Sequence, residues 1–427
     1  MKNICFCFQM HAPFRMKRYR FFDIGADHYY YEDMQSEDQV QYLASTSYLP
    51  LCQTLQEMIR LSRGKFHCAF AISGEMLEMF EQFVPEMIDS LKALADTKCV
   101  EFVAMPYAYS LASQYDANEF TAQIKLHADK INELFGQKST TLCNTELLFD
   151  DELAFKAQKL GFKTCMTEGS KHLLSWKSPN YVYSAAAMPK MKLLLRNAQI
   201  SDSLSFLFSD TSWPGYPMDA EKFTQQIIDL PKEEDLVNIW LGAETFGIRQ
   251  QAATGIFEFL KAIPYFALEK EIGFVTPSEA GKKPAVDSLA VPFANTWCGE
   301  AKDLAPFVGN DLQQEALNKL YAVAERVHLC QDKNLKRDWL HLQVADNFLY
   351  MNHINAGNTH YESAYDAFIN YMNILSDFLQ RVEEQYPTTI ENEELNGLLK
   401  TINNQNQEIE ELQEEIKKLR ARKAKAE

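Results

Sequence analysis

Apolar positions along the chain change period in a way that marks alternating strands and helices. Asn3 to Gln9 alternates apolar with other residues, as a strand does. Ser47 to Ser62 places its apolar residues on one helical face. Phe66 to Ile72 reads as a strand, Phe83 to Ala95 as a helix, and Val100 to Ala104 as a buried strand. The clearest unit is Ser139 to Gly169. Thr140 to Asn144 predicts a short strand. Asp150 and Asp151 then open a helix carrying Leu153, Ala154, Ala157 and Leu160, with a stop at Gly161, and Phe162 to Met166 is the next strand. Met191 to Phe208 predicts a strand, a turn at Asp202 and a further strand. Leu236 to Leu241 is another strand, and from Asp311 to about Val382 the pattern is helical throughout. Repeated βαβ units imply a largely parallel sheet whose reactive groups stand at the carboxyl ends of the strands. Glu146 falls at such an end, although an acid in a turn before a helix is also a common solvated feature.

The last stretch has a different period. Leu395, Leu398, Ile402, Gln405, Ile409, Leu412, Ile416 and Leu419 alternate three- and four-residue steps among polar residues. About four heptads of this kind, with Ile favoured at one core position and Leu at the other, predict a parallel two-stranded coiled coil and hence a homodimer. The basic end, Lys417 to Lys425, complements that helix's dipole.

Composition narrows the classes. With 427 residues, 46% of them hydrophobic, the chain can fill one large α/β domain with appendages. A net charge of −17 opposes nucleic-acid or anionic-membrane binding. No apolar run is long enough to span a bilayer and no secretory leader opens the chain, so a cytoplasmic location is expected. Nine cysteines without a Cys-x-x-Cys pair suit reduced, buried thiols, and neither a metal nor another cofactor is called for.

Asn144-Thr145-Glu146-Leu147, within NTELLFDDELAFKAQKLGFKTCMTEG, resembles the nucleophile region of glycoside hydrolase family 57, in particular its α-amylase-type members. HAPFRMKRYRFFDIG from His11, KHLLSWKSPNYVY from Lys171, Glu244-Thr245-Phe246-Gly247 with TGIFEFLKAIP, and VPFANTWCGEAKDLAPFVGNDLQQEA from Val291 extend the similarity over about residues 1 to 380. The resemblance implies an incomplete (β/α)7 barrel over 1–285, a helical domain over 286–385 and the coiled coil over 386–427. It implies an α-glucan or maltooligosaccharide as ligand. It makes Glu146 the nucleophile and His11, Tyr107, Trp176, Asp202 and Trp297 substrate contacts.

The general acid of the family aligns with Gly242, which has no side chain. Glu244, two residues on in an extended strand, would point to the same side about 6 to 7 Å further along and is the possible substitute. Ala12, Met105, Tyr109, Ser203 and Gly299 likewise stand where relatives carry polar or charged groups, and Leu207 stands near a usual arginine. These departures lead to the expectation of a catalytically impaired homologue that binds α-glucan or serves in assembly. The alternative is an active retaining hydrolase or 4-α-glucanotransferase with a displaced acid.

Overall fold

The computed structural model describes residues 1–353 and 360–385, with positions 397, 398, 401, 402, 405, 406, 409 and 412 beyond them. The rest of the Leu395–Leu419 seam lies outside the described residues. Ten strands occur among those described: β1 (Asn3–Met10), β2 (Cys68–Ile72), β3 (Val100–Phe102), β4 (Thr141–Cys143), β5 (Thr164–Glu168), β6 (Val182–Ala185), β7 (Met188–Arg196), β8 (Leu236–Gly242), β9 (Gly273–Phe274) and β10 (Asp287–Leu289).

Parallel pairing runs β8-β1-β2-β3, with Phe8 opposite Phe70 and Gln9 opposite Gly242. A bridge from Ala104 to Leu142 carries it to β4, and then β4 pairs β5 and β5 pairs β7. Arg196 opposite Asn238 returns the path to β8. The pairings therefore close on themselves through seven strands and bring their carboxyl ends to one mouth. β6 lies antiparallel on β7, and β10 pairs β6 at the margin of the sheet. Strands buried on both faces read as apolar runs, and in β1 every residue from Ile4 to Met10 is buried.

Helices cover the outside of this sheet. In the helix Asp151–Lys159, Asp150 accepts from the Leu153 N–H at 2.7 Å while Leu153, Ala154 and Ala157 are buried. Such a cap is worth about 1 kcal/mol. The turn after it has Gly161 at φ 90°, a backbone angle that favours glycine.

The carboxyl-terminal helices do not form a separate core. Phe307, Leu317, Trp339, Phe348 and Phe378 belong to the same apolar cluster as β1 and β2. Polar clips reinforce this union. Asp377 accepts from the Gly25 N–H and from Tyr30 at 2.6 Å, and Asp338 accepts from Tyr31 at 2.7 Å and Arg381 at 2.6 Å.

Several expectations need correction. No second strand follows Asp202; Ala198–Asp202 is α-helical and continues as a wider π turn over Ser203–Leu207. The buried Ile200, Leu204 and Phe208 are four residues apart, which is a helical spacing. Asp33–Leu43 and Gly74–Phe83 are helices that the pattern reading left out. The stretch after Asp311 is not one helical run. It is divided into Asp311–Tyr321, Ala324–Leu329, Lys333–Leu342, Ala345–Leu349 and Ala364–Gln385. All nine cysteines are free, and only Cys298 is not buried. No helix among the described residues is long and apolar enough to cross a membrane.

Burial depresses His127 to about 4, and its Nε2 meets the Ile72 carbonyl at 2.7 Å. Between about pH 4 and the ordinary histidine value near 6.5, the unfolded chain therefore binds one more proton here than the folded chain. This contribution is complete above the unfolded pKa and is lost as pH falls toward 4. His127→Gln, which keeps an N–H for Ile72, should lose less stability than the wild type between pH 7 and pH 5 in urea denaturation. Equal losses would show that His127 does not contribute.

Candidate active site

Glu146 sits just past β4 in a tight turn, Thr145–Leu147, where Glu146 has φ 53° and Leu147 φ 55°. Left-handed backbone in such residues costs on the order of 1–3 kcal/mol each and persists only where the surroundings impose it. Here the surroundings are a second segment laid alongside. The Trp297 N–H donates to the Glu146 carbonyl at 3.0 Å, and Phe149 and Asn295 exchange two backbone bonds at 2.9 and 3.0 Å. Asn295 is itself fixed by donating to Thr167 Oγ1 at 3.0 Å and to the Glu168 carbonyl at 2.9 Å.

The carboxylate is met by donors on both oxygens. Tyr109 donates to Oε1 at 2.8 Å, and the Trp297 indole N–H donates to Oε2. Tyr109 also has positive φ, 52°. Its hydroxyl accepts from Gln9, whose Oε1 accepts from Trp240 Nε1 at 3.0 Å. Burial raises the Glu146 pKa above its ordinary value; the Tyr109 and Trp297 hydrogen bonds and the His11 charge oppose that rise, and Asp346 adds to it.

His11 stacks on Tyr109 with ring centroids 3.9 Å apart. Its Nδ1 pairs with Ser73 Oγ at 2.8 Å and its Nε2 with Asp346 at 2.9 Å. Burial pulls the imidazole down, but Asp346 outweighs this through charge and hydrogen bond and holds it above its ordinary value. Asp346 reaches the site because the Ala345 N–H bonds to the Tyr109 carbonyl at 3.1 Å. Sequence reading missed it, since it lies among helices with no strand end to mark it.

At Gly242 the local geometry differs from that expected. β8 ends there, and Ala243–Thr245 is a 3-10 turn that folds Glu244 back over the glycine. A β-carbon built on Gly242 would stand 2.6 Å from Glu244 Oε2. The extended geometry that separated the two positions is thus corrected. Tyr48 donates to Glu244 Oε1, and Tyr48 itself comes from the π turn Ala44–Tyr48. Burial raises the Glu244 pKa against the Tyr48 hydrogen bond and the charges of Arg249 and His11. Both carboxyl groups therefore feel the same imidazole. The remaining motif residues brace the turn. Phe246 packs edge-on to Phe8, and a side chain on Gly247 (φ 101°) would strike the Thr46 carbonyl at 2.1 Å.

The structure brings together some of the sequence candidates and separates others. Trp297 joins Glu146 directly. Asp202 joins indirectly through Arg196, a buried guanidinium that sequence reading missed. Arg196 binds Asp202 and Glu168 and lies 5.2 Å from the centre of the Trp297 ring. Tyr107 is turned away: its ring covers Gly74 and its hydroxyl donates to Glu78 at 2.6 Å. Tyr109, counted as a loss, is the tyrosine that meets the nucleophile candidate. Both nitrogens of His11 are occupied, so it orients its neighbours instead of presenting a free ring nitrogen. Trp176 is 87% exposed and stands apart from the Glu146 group, beside Tyr181, Glu234 and Asp287. Ser203 Oγ bonds to the Gln199 carbonyl at 2.7 Å within its own helix. Met105 and Ala12 are buried, and Gly299 has φ 64°.

Among the described residues no group of three or more His, Cys, Asp or Glu side chains is arranged to hold a metal ion.

The model of glycosyl hydrolase family 57 matches residues 5–291. The chain belongs to that family. A family 57 assignment accords with a curated relative from Methanocaldococcus jannaschii named "Putative alpha-amylase", which is 30% identical over 406 residues, covering 89% of this chain and 85% of the relative. Among solved structures, a branching enzyme of Pyrococcus horikoshii superposes with a TM-score of 0.66 at 14% identity, covering 94% of each chain. An α-amylase of Thermotoga maritima gives 0.62 at 12% identity, covering 94% of this chain and 96% of that one. The 4-alpha-glucanotransferase of Thermococcus litoralis gives 0.65 at 14% identity; this chain is covered to 88% but spans only 59% of that protein. At these identities the structural likeness establishes the family 57 α/β fold.

Removing one donor tests the electrostatic account. Tyr109→Phe leaves Gln9 Nε2 without its acceptor and Glu146 with one fewer donor, so stability should fall by about 1–3 kcal/mol and the Glu146 pKa should rise further. Urea denaturation and carboxyl titration by NMR report the two effects. An unchanged Glu146 titration would remove Tyr109 from the account.

Proposed function

We propose that this chain is a retaining α-glucan hydrolase or 4-α-glucanotransferase in which Glu146 attacks the anomeric carbon and Glu244 supplies the proton. The observation that carries this reading is the position of Glu244 Oε2, 2.6 Å from where a β-carbon on Gly242 would be. An aspartate oxygen lies about 2.4 Å from its own β-carbon by ordinary bond lengths and angles. The longer glutamate side chain thus brings a carboxyl oxygen about as near to that β-carbon position as an aspartate at 242 would hold its own.

Retaining hydrolysis needs one carboxylate to attack and one carboxylic acid to protonate the leaving oxygen, then to deprotonate the incoming water or sugar hydroxyl. Glu146 with its two donors suits the first role. Glu244, raised by burial and holding Oε2 toward Gly242, suits the second. The α-glucan assignment is drawn from family 57, whose relatives above are named for α-amylase, branching and glucanotransferase activities.

A second reading keeps the impaired homologue, a non-cleaving glucan binder. It is favoured by the polar groups that Ala12, Met105 and Gly299 do not supply. Incubation with maltoheptaose and an activated aryl maltoside separates the two. The wild type should cleave both, Glu146→Ala neither, and Glu244→Gln should lose about 10²- to 10⁴-fold on maltoheptaose while retaining the aryl substrate, whose leaving group needs no proton. A wild type inert toward maltoheptaose would leave the binder. Burial also sets the expected pH profile. Because Glu146 must be ionised and its pKa is raised, the acid limb of kcat/KM should lie above the ordinary glutamate value of about 4.3. A limb at or below that value would contradict the buried nucleophile.

We also assign the Leu395–Leu419 seam to a coiled coil joining two copies. At the described seam positions Leu398, Ile402, Ile409 and Leu412 the chain is helical, and these side chains are 49 to 60% exposed, as an unpartnered heptad stripe would be. Removing the residues after Glu391 should halve the mass found by light scattering. A truncated chain that stays dimeric would place the interface elsewhere.

A further inference from the structure

Trp176 is 87% exposed, although tryptophan is normally one of the more buried side chains. It is held in that position by its surroundings. Ser175, immediately before it, has φ 57° and ψ −106°, a conformation that a non-glycine residue keeps only under constraint. On the other side, the Lys177 N–H returns to the Leu174 carbonyl at 2.9 Å, and the Lys177 ammonium pairs with Asp287 of β10 at 2.6 Å. Tyr183 of β6 donates to the Ser178 carbonyl at 2.6 Å, and Asn180 donates to Glu234 at 2.6 Å. The loop is therefore pinned to the sheet margin at several points while its indole stands in water.

Beside that indole is a pocket of about 300 Å³, lined by Trp176, Lys177, Tyr181, Glu234, Val286 and Asp287. This volume is at the small end for ligand pockets, enough for a unit about the size of one sugar ring. Its chemistry is mixed. Trp176 and Tyr181 offer aromatic faces, Glu234 and Asp287 offer acceptors for hydroxyl groups, and Lys177 offers a donor. The acidic run Glu233-Glu234-Asp235 borders Tyr181, which opposes an anionic ligand such as a phosphate. The charged rim opposes a purely apolar one. An uncharged ring with an apolar face and a hydroxyl edge satisfies both halves of the lining.

We propose that this pocket is a second binding site for a pyranose unit of an α-glucan chain, separate from the Glu146 group. The choice of α-glucan among sugars rests on the proposed function; the site itself rests on the constrained, exposed indole and its lining. It would keep the enzyme on a long polymer while short oligosaccharides reach the catalytic group without it.

Native electrophoresis through gels containing glycogen, paired with maltoheptaose turnover, tests this. Trp176→Ala changes an exposed side chain and should fold normally. Its retardation by glycogen should weaken by about tenfold in apparent affinity, as for the loss of one aromatic anchor, with maltoheptaose kcat/KM unchanged, while Trp176→Tyr should retain most of the retardation. Retardation of Trp176→Ala equal to that of the wild type, or no retardation of the wild type at all, would overturn the site. Trp176-dependent retardation in a chain that does not turn over maltoheptaose would sink the catalytic reading and leave this one standing. Turnover without Trp176-dependent retardation would do the reverse.

Discussion

A carboxylate withdrawn from water is tolerated only where donors replace the water, and much of the mouth of this sheet is arranged to do that for Glu146. Leaving such a charge unmet would cost several kcal/mol, comparable to the net stability of a domain. Tyr109 and Trp297 meet it directly, and each is held by further contacts. Tyr109 is positioned by Gln9, Gln9 by Trp240, and Trp297 by its backbone bond to Glu146 and by Arg196 beneath its ring. One charge thus draws on β1, β7, β8 and the segment at 295–297. The positive φ at Tyr109 and at Glu146 fits the same account, because strained backbone at two partners of one hydrogen bond is stable only when the bond and its supports are kept.

Gly242 has a different meaning in three dimensions from its meaning in the linear sequence. Read along an extended strand, glycine at the place of a proton donor is a deletion, and Glu244 is one further step away. The 3-10 turn abolishes that distance. A β-carbon at 242 would stand 2.6 Å from Glu244 Oε2, so a side chain there would displace the far end of the glutamate from the observed conformation. A chain with both an aspartate at 242 and a glutamate at 244 would have to hold the glutamate differently.

The sequence was most informative where period and backbone chemistry agree. Asp150, the apolar stripe of Asp151–Lys159 and Gly161 mark one helix from cap to stop, and Glu146 could be located from the strand before it. Contacts between distant segments were not legible. Asp346 and Arg196 enter the site through tertiary packing, and nothing in their immediate neighbours distinguishes them from a helix-surface acid and a strand-end base. Tyr107 and Tyr109 show the same limit at close range. Two residues apart, they face opposite ways because Tyr109 is left-handed, and period-two reasoning assigns them to one side. After Asp202 the short apolar run fits both periods, and the burial of Ile200, Leu204 and Phe208 decides between them.

The two candidate carboxyl groups have different hydrogen-bond surroundings. Burial raises both, so desolvation alone does not distinguish them. Donors do. Glu146 receives a phenol on one oxygen and an indole on the other, whereas the side-chain donor to Glu244 is the Tyr48 phenol on Oε1. Hydrogen bonds to the charged form favour ionisation and so oppose the effect of burial at both groups, joined at Glu244 by the charge of Arg249. Asp346 holds the His11 pKa above its ordinary value; a charged His11 favours ionisation of both, and Asp346 partly cancels this at Glu146. That acid lies beyond the residues matched by the family model, in the helix Ala345–Leu349. The surroundings of Glu146 and His11 are therefore completed by the helical region, which packs into the same apolar core as β1.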